Sequence, residues 1–319
     1  MGVSELLSGP ASPAHFVSLE DWSREELERI LARAQELKAA RARRELPRTL
    51  DGRSVLLYFE KPSLRTQVTF EVGIAELGAT SVYLHPDQVR IGQREAVEDV
   101  ARNVSRWCHA MVARTFAHDL ILGLARHSSI PVVNALSDDF HPCQAMADVQ
   151  TVQEHGDLQR DRVTYLGDGN NMVNSLIFAA GRLGMRVTIC TPPRYAPRAD
   201  IVRRGIELAR ASGGEVRLET DPQAAVKDAA FIYTDVWASM GQEQEAAERR
   251  EVFAPYQVNE ELLRHAPSDV RVLHCLPAHR GEEITAEVFE SDRSLVFDQA
   301  ENRLHAQKAI LEAVILASK

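Results

Sequence analysis

Short apolar runs alternate along the chain with stretches of helical periodicity, and this alternation most limits the fold. The run Ser54–Phe59 is apolar at nearly every position, so both faces of a strand formed there must be buried. Such strands are typical of a parallel sheet covered by helices on both faces. The alternation therefore predicts an α/β fold. Further strands are predicted at Thr80–Leu84, Ala110–Arg114, 130–135, Arg162–Leu166, 187–190, Ala229–Thr234 and 270–273.

The helices between these strands carry start and stop signals. Ser23 and Glu26 form a capping box ahead of apolar residues at helical spacing. A second helix is predicted to end at Gly78, because glycine readily adopts the left-handed conformation that follows many helices. Later helices are predicted over 141–155, 172–183 and 302–317, and the charged segment 242–251 is predicted to be a loop or a mobile helix.

Chain length and the restart of the pattern indicate two domains. At about 150 residues per domain, a chain of 319 residues favours two, and the alternation begins again after residue 145. Each half then contains a mostly parallel sheet flanked by helices. The last predicted helix has no obvious place in the second sheet.

The composition excludes several classes of partner. Lys and Arg number 37 against 46 Asp and Glu, a net charge of −9, so we expect neither nucleic acid nor an anionic membrane to bind by bulk charge. The four cysteines form no C-x-x-C pair, which argues against disulfides and a zinc site and favours a reducing compartment. The sequence shows no signal peptide and no transmembrane segment, so the expected compartment is the cytoplasm.

Polar segments follow several of the predicted strands, at the edge where open α/β sheets bind ligands. In the first segment, Ser63 and Thr66 offer hydroxyls, Arg65 offers a fork of donors, and the start of a helix offers free N–H groups. These groups suit a phosphate. A plain helix cap beside a solvated arginine is an equally good interpretation.

Two further polar segments, taken one at a time, indicate a ligand site only weakly. His141 beside a proline could be an ordinary surface residue, although together with Arg114 it could polarise a carbonyl oxygen. The segment 167–171 has two glycines, but Met172 stands where a dinucleotide fingerprint needs a third. Its two consecutive asparagines could instead hold a polar small molecule.

The fourth polar region consists of two segments, each at the end of a different predicted strand. Asp235 closes a strand and could receive an amine or an ammonium group. Cys275 could be a nucleophile, although a lone buried cysteine is more often inert packing. A Cys/His dyad with His274 is disfavoured, because neighbouring residues on a strand point to opposite faces.

Taken together, these segments resemble the ornithine carbamoyltransferases. The motifs occur in that family's order, and five of them in order across nearly the whole chain are not expected by chance. They are S-x-R-T at 63–66, H-P-x-Q at 141–144, D-x-x-x-S-M-G at 235–241, H-C-L-P at 274–277 and F-D-Q-A-E-N-R at 297–303.

The resemblance implies transfer of the carbamoyl group from carbamoyl phosphate to the δ-amine of L-ornithine. The products are L-citrulline and phosphate, the setting is arginine metabolism, and no metal or organic cofactor is needed. The resemblance also implies a carbamoyl phosphate-binding domain at 1–145, to which a C-terminal helix at 300–319 returns, and an ornithine-binding domain at 146–299. The implied assembly is a homotrimer or a multiple of trimers.

By the same resemblance, the motifs contribute the site residues. The set for carbamoyl phosphate is Ser63, Leu64 (through its backbone N–H), Arg65, Thr66, Arg114, His141, Gln144, Cys275, Leu276 and Arg303. The set for ornithine is Asn171, Asp235, Ser239 and Met240. The residues with an implied catalytic role are Arg114, His141, Asp235, Cys275 and Arg303. Closure of the domains and of the 239–241 loop would align the amine with the carbonyl and exclude water.

The first motif departs from the family's usual S-T-R-T-R. Leu64 keeps the backbone N–H, whereas Gln67 removes one positive charge and weakens the local field that attracts an anion. The family often places a glutamine before Ile-Gly in a loop that reaches a neighbouring subunit. Here either Gln88 or Arg90 could have that place, ahead of Ile91.

Other functions remain open from sequence. Aspartate as acceptor would call for basic residues near Asp235, and an N-acylated ornithine is a further candidate. Putrescine is harder to exclude, because Asp235 and Cys275 address only the amine end of an acceptor. A nicotinamide-dependent dehydrogenase is disfavoured by the failed glycine fingerprint. A homologue that binds a partner without activity is disfavoured by the retention of the polar site residues.

Overall fold

The computed structural model describes residues 15–238 and 245–317. The chain divides into two compact units. Unit 1 comprises Met1–Gln150 and Asn302–Lys319, and unit 2 comprises Thr151–Glu301. Among the described residues, no helix is both long enough and apolar enough to cross a membrane.

The described part of unit 1 contains a four-stranded parallel sheet in the order β2-β1-β3-β4. The central strands β1 and β3 are buried almost throughout, as their apolar sequences predict. The strands are β1 (Ser54–Phe59), β2 (Thr80–Leu84), β3 (Ala110–Arg114) and β4 (Val132–Leu136). The helices are α1 (Arg24–Ala42), α2 (Leu64–Glu76), α3 (Pro86–Val89), α4 (Val97–Trp107), α5 (His118–His127) and α6 (Pro142–His155).

Local signals in unit 1 behave as the sequence predicts. The capping box at the start of α1 is present: Ser23 Oγ accepts from the Glu26 N–H, and Glu26 accepts from the Ser23 N–H. Gly78 follows α2 with φ of 85°, a left-handed conformation that costs glycine little. The buried face of α1 is formed by Leu27, Ile30, Leu31, Ala34 and Leu37.

The described part of unit 2 contains a five-stranded parallel sheet in the order β7-β6-β5-β8-β9. Its strands are β5 (Arg162–Leu166), β6 (Arg186–Cys190), β7 (Glu215–Glu219), β8 (Ala229–Thr234) and β9 (Arg271–His274). Its helices are α7 (Asn171–Leu183), α8 (Ala199–Ser212), α9 (Pro222–Ala225), α10 (Ala246–Phe253), α11 (Glu260–Leu263) and α12 (Ala286–Phe289), with short 3₁₀ turns at Pro193–Tyr195 and Ala254–Tyr256.

Several elements differ from the sequence prediction. Strand β7 was not predicted, because it lies at the sheet edge and carries the charged residues Glu215, Arg217 and Glu219 instead of an apolar run. The last helix, α13, spans Val296–Ala317, so the predicted start near residue 302 is wrong by about a turn and a half. The segment 242–251, predicted as a loop or a mobile helix, includes the first six residues of α10, and its residues 242–244 lie outside the described part.

The C-terminal helix α13 packs on unit 1. Arg33 of α1 forms a fork of hydrogen bonds to Glu312, at 2.6 and 3.0 Å. Lys308, buried beside Gly73 of α2, binds Glu76 at 2.7 Å. These contacts confirm that the last helix returns to the first unit. Together with the two parallel sheets flanked by helices, they confirm the expected α/β fold class.

Strand order reverses once in each described sheet, and such a reversal opens a crevice at the carboxyl ends of the strands. In unit 1 it lies between β1 and β3, where Phe59 pairs with Arg114. In unit 2 it lies between β5 and β8, where Leu166 pairs with Thr234. The polar segments singled out from sequence follow these strand ends, except that 141–144 follows the neighbouring strand β4 and 274–277 begins at the end of the neighbouring strand β9.

Candidate functional site

The first polar segment of unit 1 forms the N-terminus of α2. Ser63 is the N-cap: its Oγ accepts from the Thr66 N–H at 3.3 Å and donates to Thr66 Oγ1 at 2.9 Å. Arg65 is half-buried, so it is not a fully solvated side chain. The Leu64 side chain is 75% exposed, which leaves its backbone N–H as its contribution to this helix end. The helix start therefore presents N–H groups and the positive end of its dipole.

Two buried arginines converge on Thr66. Arg303 Nη2 donates to Thr66 Oγ1 at 2.6 Å, and Arg303 Nη1 donates to Gln144 Oε1 at 2.6 Å. Arg114, at the end of β3, approaches the same threonine hydroxyl at 3.5 Å. Because both guanidinium groups are almost fully buried, the field that they create is weakly screened by solvent. The overall acidic chain thus has a locally positive pocket in unit 1.

His141 adds a neutral donor to this pocket. Its ring is buried, and its pKa lies well below the ordinary histidine value because of burial first, and then because of the positive charges of Arg303 and Arg114. The imidazole is therefore neutral at physiological pH. A neutral imidazole still has one N–H to donate to a carbonyl oxygen.

Gln144 is oriented by a residue that the sequence analysis did not identify. Gln144 Nε2 donates to Asp148 Oδ1 at 2.8 Å, one turn further along α6. This bond fixes which end of the amide faces Arg303, so that the Gln144 carbonyl oxygen is the acceptor toward the pocket. The i, i+4 spacing of Gln144 and Asp148 on a predicted helix was the available signal.

In unit 2, the loop after β5 and the loop after β8 are joined by a side-chain bond. Asn170 is the N-cap of α7, and its Oδ1 accepts from the N–H groups of Met172 and Val173. Its Nδ2 donates to Asp235 Oδ2 at 3.0 Å. Asp235 is buried, and its Oδ1 accepts from the Val236 N–H. Asn170 therefore orients Asp235, while Asn171 follows it as the first residue of α7.

Cys275 lies beside Asp235, on a turn held by His274. One potential ligand atom from each of Asp235, His274 and Cys275 lies within 4.8 Å of the others. The ring of His274 accepts from the Leu276 N–H through Nδ1 at 2.8 Å, and its Nε2 lies 3.0 Å from Glu283 Oε1. His274 thus stabilises the turn, and both of its ring nitrogens are engaged by groups other than Cys275. The prediction that these two residues point to opposite strand faces does not hold, because the His274 and Cys275 side chains lie close together.

A buried arginine ties together other parts of the unit 2 crevice. Arg249 of α10 donates to Asp168 Oδ2 at 2.9 Å and to the Trp237 carbonyl at 2.8 Å. Asp168 precedes Asn170 in the loop after β5, and Trp237 follows Asp235 in the loop after β8. Sequence reasoning missed Arg249, Asp168 and Glu283, because their pairings span 9 to 81 residues and leave no periodic signal.

Two clusters of the described residues have side chains close enough to share a metal ion. These are Asp235, His274 and Cys275, and the more exposed group His279, Glu282 and Glu283. In the first cluster, both ring nitrogens of His274 are already engaged with Glu283 and Leu276. A metal there would have to displace one of those bonds.

The structure groups the predicted site residues by unit. Unit 1 brings together Ser63, Leu64, Arg65, Thr66, Arg114, His141, Gln144 and Arg303. Unit 2 holds Asn171, Asp235, Cys275 and Leu276. Ser239 and Met240 lie outside the described residues. Gln88 and Arg90 are both exposed at the end of α3.

Two family models match the chain, and together they cover most of it. The model "Aspartate/ornithine carbamoyltransferase, carbamoyl-P binding domain" matches residues 14–154. The model "Aspartate/ornithine carbamoyltransferase, Asp/Orn binding domain" matches residues 159–314. The first match includes all but one of the unit 1 site residues; the exception, Arg303, falls in the second match.

Individual relatives extend the similarity over nearly the full chain. An ornithine carbamoyltransferase of Thermococcus kodakarensis is 48% identical, over 93% of this chain and 95% of its own. An anabolic ornithine carbamoyltransferase of Pyrococcus furiosus is 46% identical, over 94% and 96%. The solved structure of ornithine carbamoyltransferase from Pyrococcus furiosus superposes with a TM-score of 0.92 at 45% identity, covering 95% of this chain and 97% of that one. The Thermus thermophilus structure gives 0.85 at 42% identity, covering 95% and 99%.

Proposed function

The chain belongs to the aspartate/ornithine carbamoyltransferase family, and from this premise we propose that it transfers the carbamoyl group of carbamoyl phosphate to the δ-amine of L-ornithine. The products are L-citrulline and phosphate, and the reaction serves arginine biosynthesis. The observation that carries the proposal is the convergence of Arg303, Arg114 and Ser63 on Thr66 at a helix N-terminus, beside the neutral His141.

The donor occupies unit 1 in this proposal. The phosphate is bound by the N-terminus of α2, by the hydroxyls of Ser63 and Thr66 and by the guanidinium of Arg65, because N–H groups, a helix dipole and a guanidinium all favour a phosphate. The N–H of Leu64 belongs to the same end of the helix. Gln67 in place of a second arginine leaves one positive charge fewer at this helix.

The carbamoyl group lies against Arg114, Arg303 and His141. Negative charge grows on its carbonyl oxygen as the amine attacks, and donors fixed before the reaction stabilise that charge without reorganisation. His141 suits this role because its depressed pKa leaves it neutral, so no extra positive charge has to be desolvated. The oxygen of Gln144, fixed by Asp148, accepts from the carbamoyl NH₂.

The acceptor occupies unit 2 in this proposal. Asp235, held by Asn170, and Cys275 bind the δ-amine, and Asn171 with backbone groups of Ser239 and Met240 binds the α-amino and α-carboxylate groups. A lysine-like amine has a pKa of about 10.4, so it must lose a proton before it attacks the carbamoyl carbon. Cys275 and Leu276 also bind carbamoyl phosphate in this proposal.

The reaction as proposed uses no metal and no organic cofactor. We also propose that the enzyme works in the cytoplasm as a homotrimer or a multiple of trimers, and that unit 1 is the donor domain and unit 2 the acceptor domain. The names of the two matched family models support this division. It is also supported by the cluster of hydrogen-bond donors that the side chains of unit 1 form around Thr66.

The acceptor assignment is tested by a panel of amines. We expect the purified chain to form a carbamoylated product and release phosphate rapidly with L-ornithine, and slowly with putrescine, N-acetylornithine or L-aspartate. Equal rates with putrescine would show that the α-amino acid group of ornithine is not recognised. A preparation without acceptor measures spontaneous breakdown of carbamoyl phosphate and is the control.

A further inference from the structure

Lys61 is a buried cation that the residues proposed for catalysis do not include. Its side chain is only 7% exposed, and its ammonium lies 2.5 Å from Asp138 Oδ1. The same nitrogen lies 4.5 Å from the centre of the Phe116 ring. A buried ammonium is costly unless it is paired, so these two contacts fix where the lysine can sit.

The three residues belong to three different loops at the carboxyl edge of the unit 1 sheet. Lys61 follows β1, Phe116 follows β3, and Asp138 follows β4. Backbone bonds close the same arrangement: the Phe116 N–H donates to Glu60 Oε2 at 3.0 Å, and the Asp138 N–H donates to the Phe116 carbonyl at 2.9 Å. We call these four residues, Glu60, Lys61, Phe116 and Asp138, the loop clamp.

Each clamped loop leads directly to a proposed donor-binding residue. Lys61 is two residues before Ser63, Phe116 two residues after Arg114, and Asp138 three residues before His141. Between Asp138 and His141 the loop is short and internally bonded, since the Ser137 N–H donates to the Phe140 carbonyl. A shift of Asp138 is therefore transmitted to His141.

We propose that Lys61 is a positioning residue for carbamoyl transfer, and that its contacts with Asp138 and Phe116 hold the loops of Ser63, Arg114 and His141 in register around the donor. The inference rests on the proposed function. The direct contacts of the Lys61 ammonium are with Asp138 and Phe116, and its charge also contributes to the low pKa of His141. Removing the ammonium loosens the donor pocket of unit 1 and leaves the acceptor residues of unit 2 untouched.

The test compares variants at both ends of the ion pair. Lys61→Met removes the charge at similar length, and Lys61→Arg keeps a cation that can still reach Asp138. Asp138→Asn changes a side chain that is 58% exposed, so this variant keeps the test sound if Lys61→Met folds poorly. Arg48→Met removes an exposed ion pair with Asp51 in the same unit and is the matched control.

Steady-state constants for both substrates and calorimetric titration with inorganic phosphate are the measurements. We expect Lys61→Met to lower kcat/KM for carbamoyl phosphate about 10- to 100-fold, the scale of a misplaced catalytic group, and to weaken phosphate binding, with the ornithine constant unchanged. Asp138→Asn should act in the same direction, the double variant should be no worse than the more severe single one, and Lys61→Arg should recover most of the loss.

Two results would overturn the inference about Lys61 and leave the proposed function unaffected. If wild type forms citrulline but Asp138→Asn and Lys61→Met retain its donor constants, the loop clamp does not position the donor. If Lys61→Met lowers kcat/KM for both substrates and also lowers thermal stability, Lys61 has a general structural role and does not position the donor specifically. Failure of the proposed function is a separate result, since wild type itself would then form no citrulline.

Discussion

Replacement of Arg303 by lysine tests whether a guanidinium fork, and not only a positive charge, is needed in the donor pocket. Arg303 reaches Gln144 Oε1 and Thr66 Oγ1 with different nitrogens, each at 2.6 Å. A hydrogen bond from a charged donor contributes about 1.5–3 kcal/mol. The single ammonium of a lysine cannot span both acceptors, so Arg303→Lys loses about one bond, or about 1.5–3 kcal/mol.

If the whole of that loss is felt in the donor complex, where the fork holds Thr66 and Gln144 in place, kcat/KM decreases by up to about 10- to 150-fold, at about 1.36 kcal/mol per factor of ten. Citrulline formation at varied carbamoyl phosphate and saturating ornithine measures it. Arg303→Met, which loses both bonds, should be the more severe variant.

The matched control is Arg33→Lys, which alters a comparable fork to Glu312 on the same helix, α13. We expect this variant to lower thermal stability while leaving kcat/KM near the wild-type value. If Arg303→Lys were as active as wild type, with its fold intact, the proposed role of the fork would be refuted.

Three further predictions concern other parts of the molecule. Arg65→Ala should weaken carbamoyl phosphate binding far more than ornithine binding, whereas Leu64→Ala should leave both nearly unchanged; equal losses for the two substrates of Arg65→Ala in titrations would contradict the phosphate role. Asn170→Ala removes the cap of α7 and the bond to Asp235, so it should cost about 1 kcal/mol of stability and raise the KM for ornithine selectively; a rise confined to carbamoyl phosphate would contradict it. Burial lowers the pKa of His305 from 6.5 to about 4 in the folded chain, so the unfolded chain takes up the proton first as the pH falls. Stability should therefore decrease between pH 6.5 and 4, by up to about 1.4 kcal/mol per pH unit from this residue, and urea unfolding at pH 7 and 5 should show a smaller decrease for His305→Gln.

The parts of the fold with a strong local signal could be predicted from sequence. The central strand β1 is an apolar run because both of its faces are covered, and the Ser23 capping box marks the start of α1. The edge strand β7 has charged residues at every second position in place of that run, so it has no such signal. The early start of α13 could not be predicted because residues 297–301 have only two apolar side chains, Phe297 and Ala300, and so show little helical periodicity.

The candidate site, like the fold, has a part that local sequence signals predict and a part that they do not. The residues at strand ends, such as Arg114 and Asp235, could be singled out because parallel strands bring their carboxyl ends to one edge. The bonds that hold them could not be predicted, since the bond from Arg303 to Thr66 spans 237 positions and Glu283, the partner of His274 at the end of β9, lies in an irregular turn. Arg303 itself was indicated only by the family resemblance. Only the folded chain brings such partners together, and none of them follows a helical or strand period.

Isotope transfer from carbamoyl phosphate labelled with ¹³C at the carbonyl tests the central claim most directly. The proposed function predicts that, with L-ornithine present, the label appears in the ureido carbon of citrulline at the same rate as phosphate is released. It also predicts that no labelled product beyond spontaneous breakdown forms without ornithine. Phosphate release that is independent of ornithine, or label recovered as bicarbonate instead of citrulline, would contradict the claim that this chain is a carbamoyltransferase acting on ornithine.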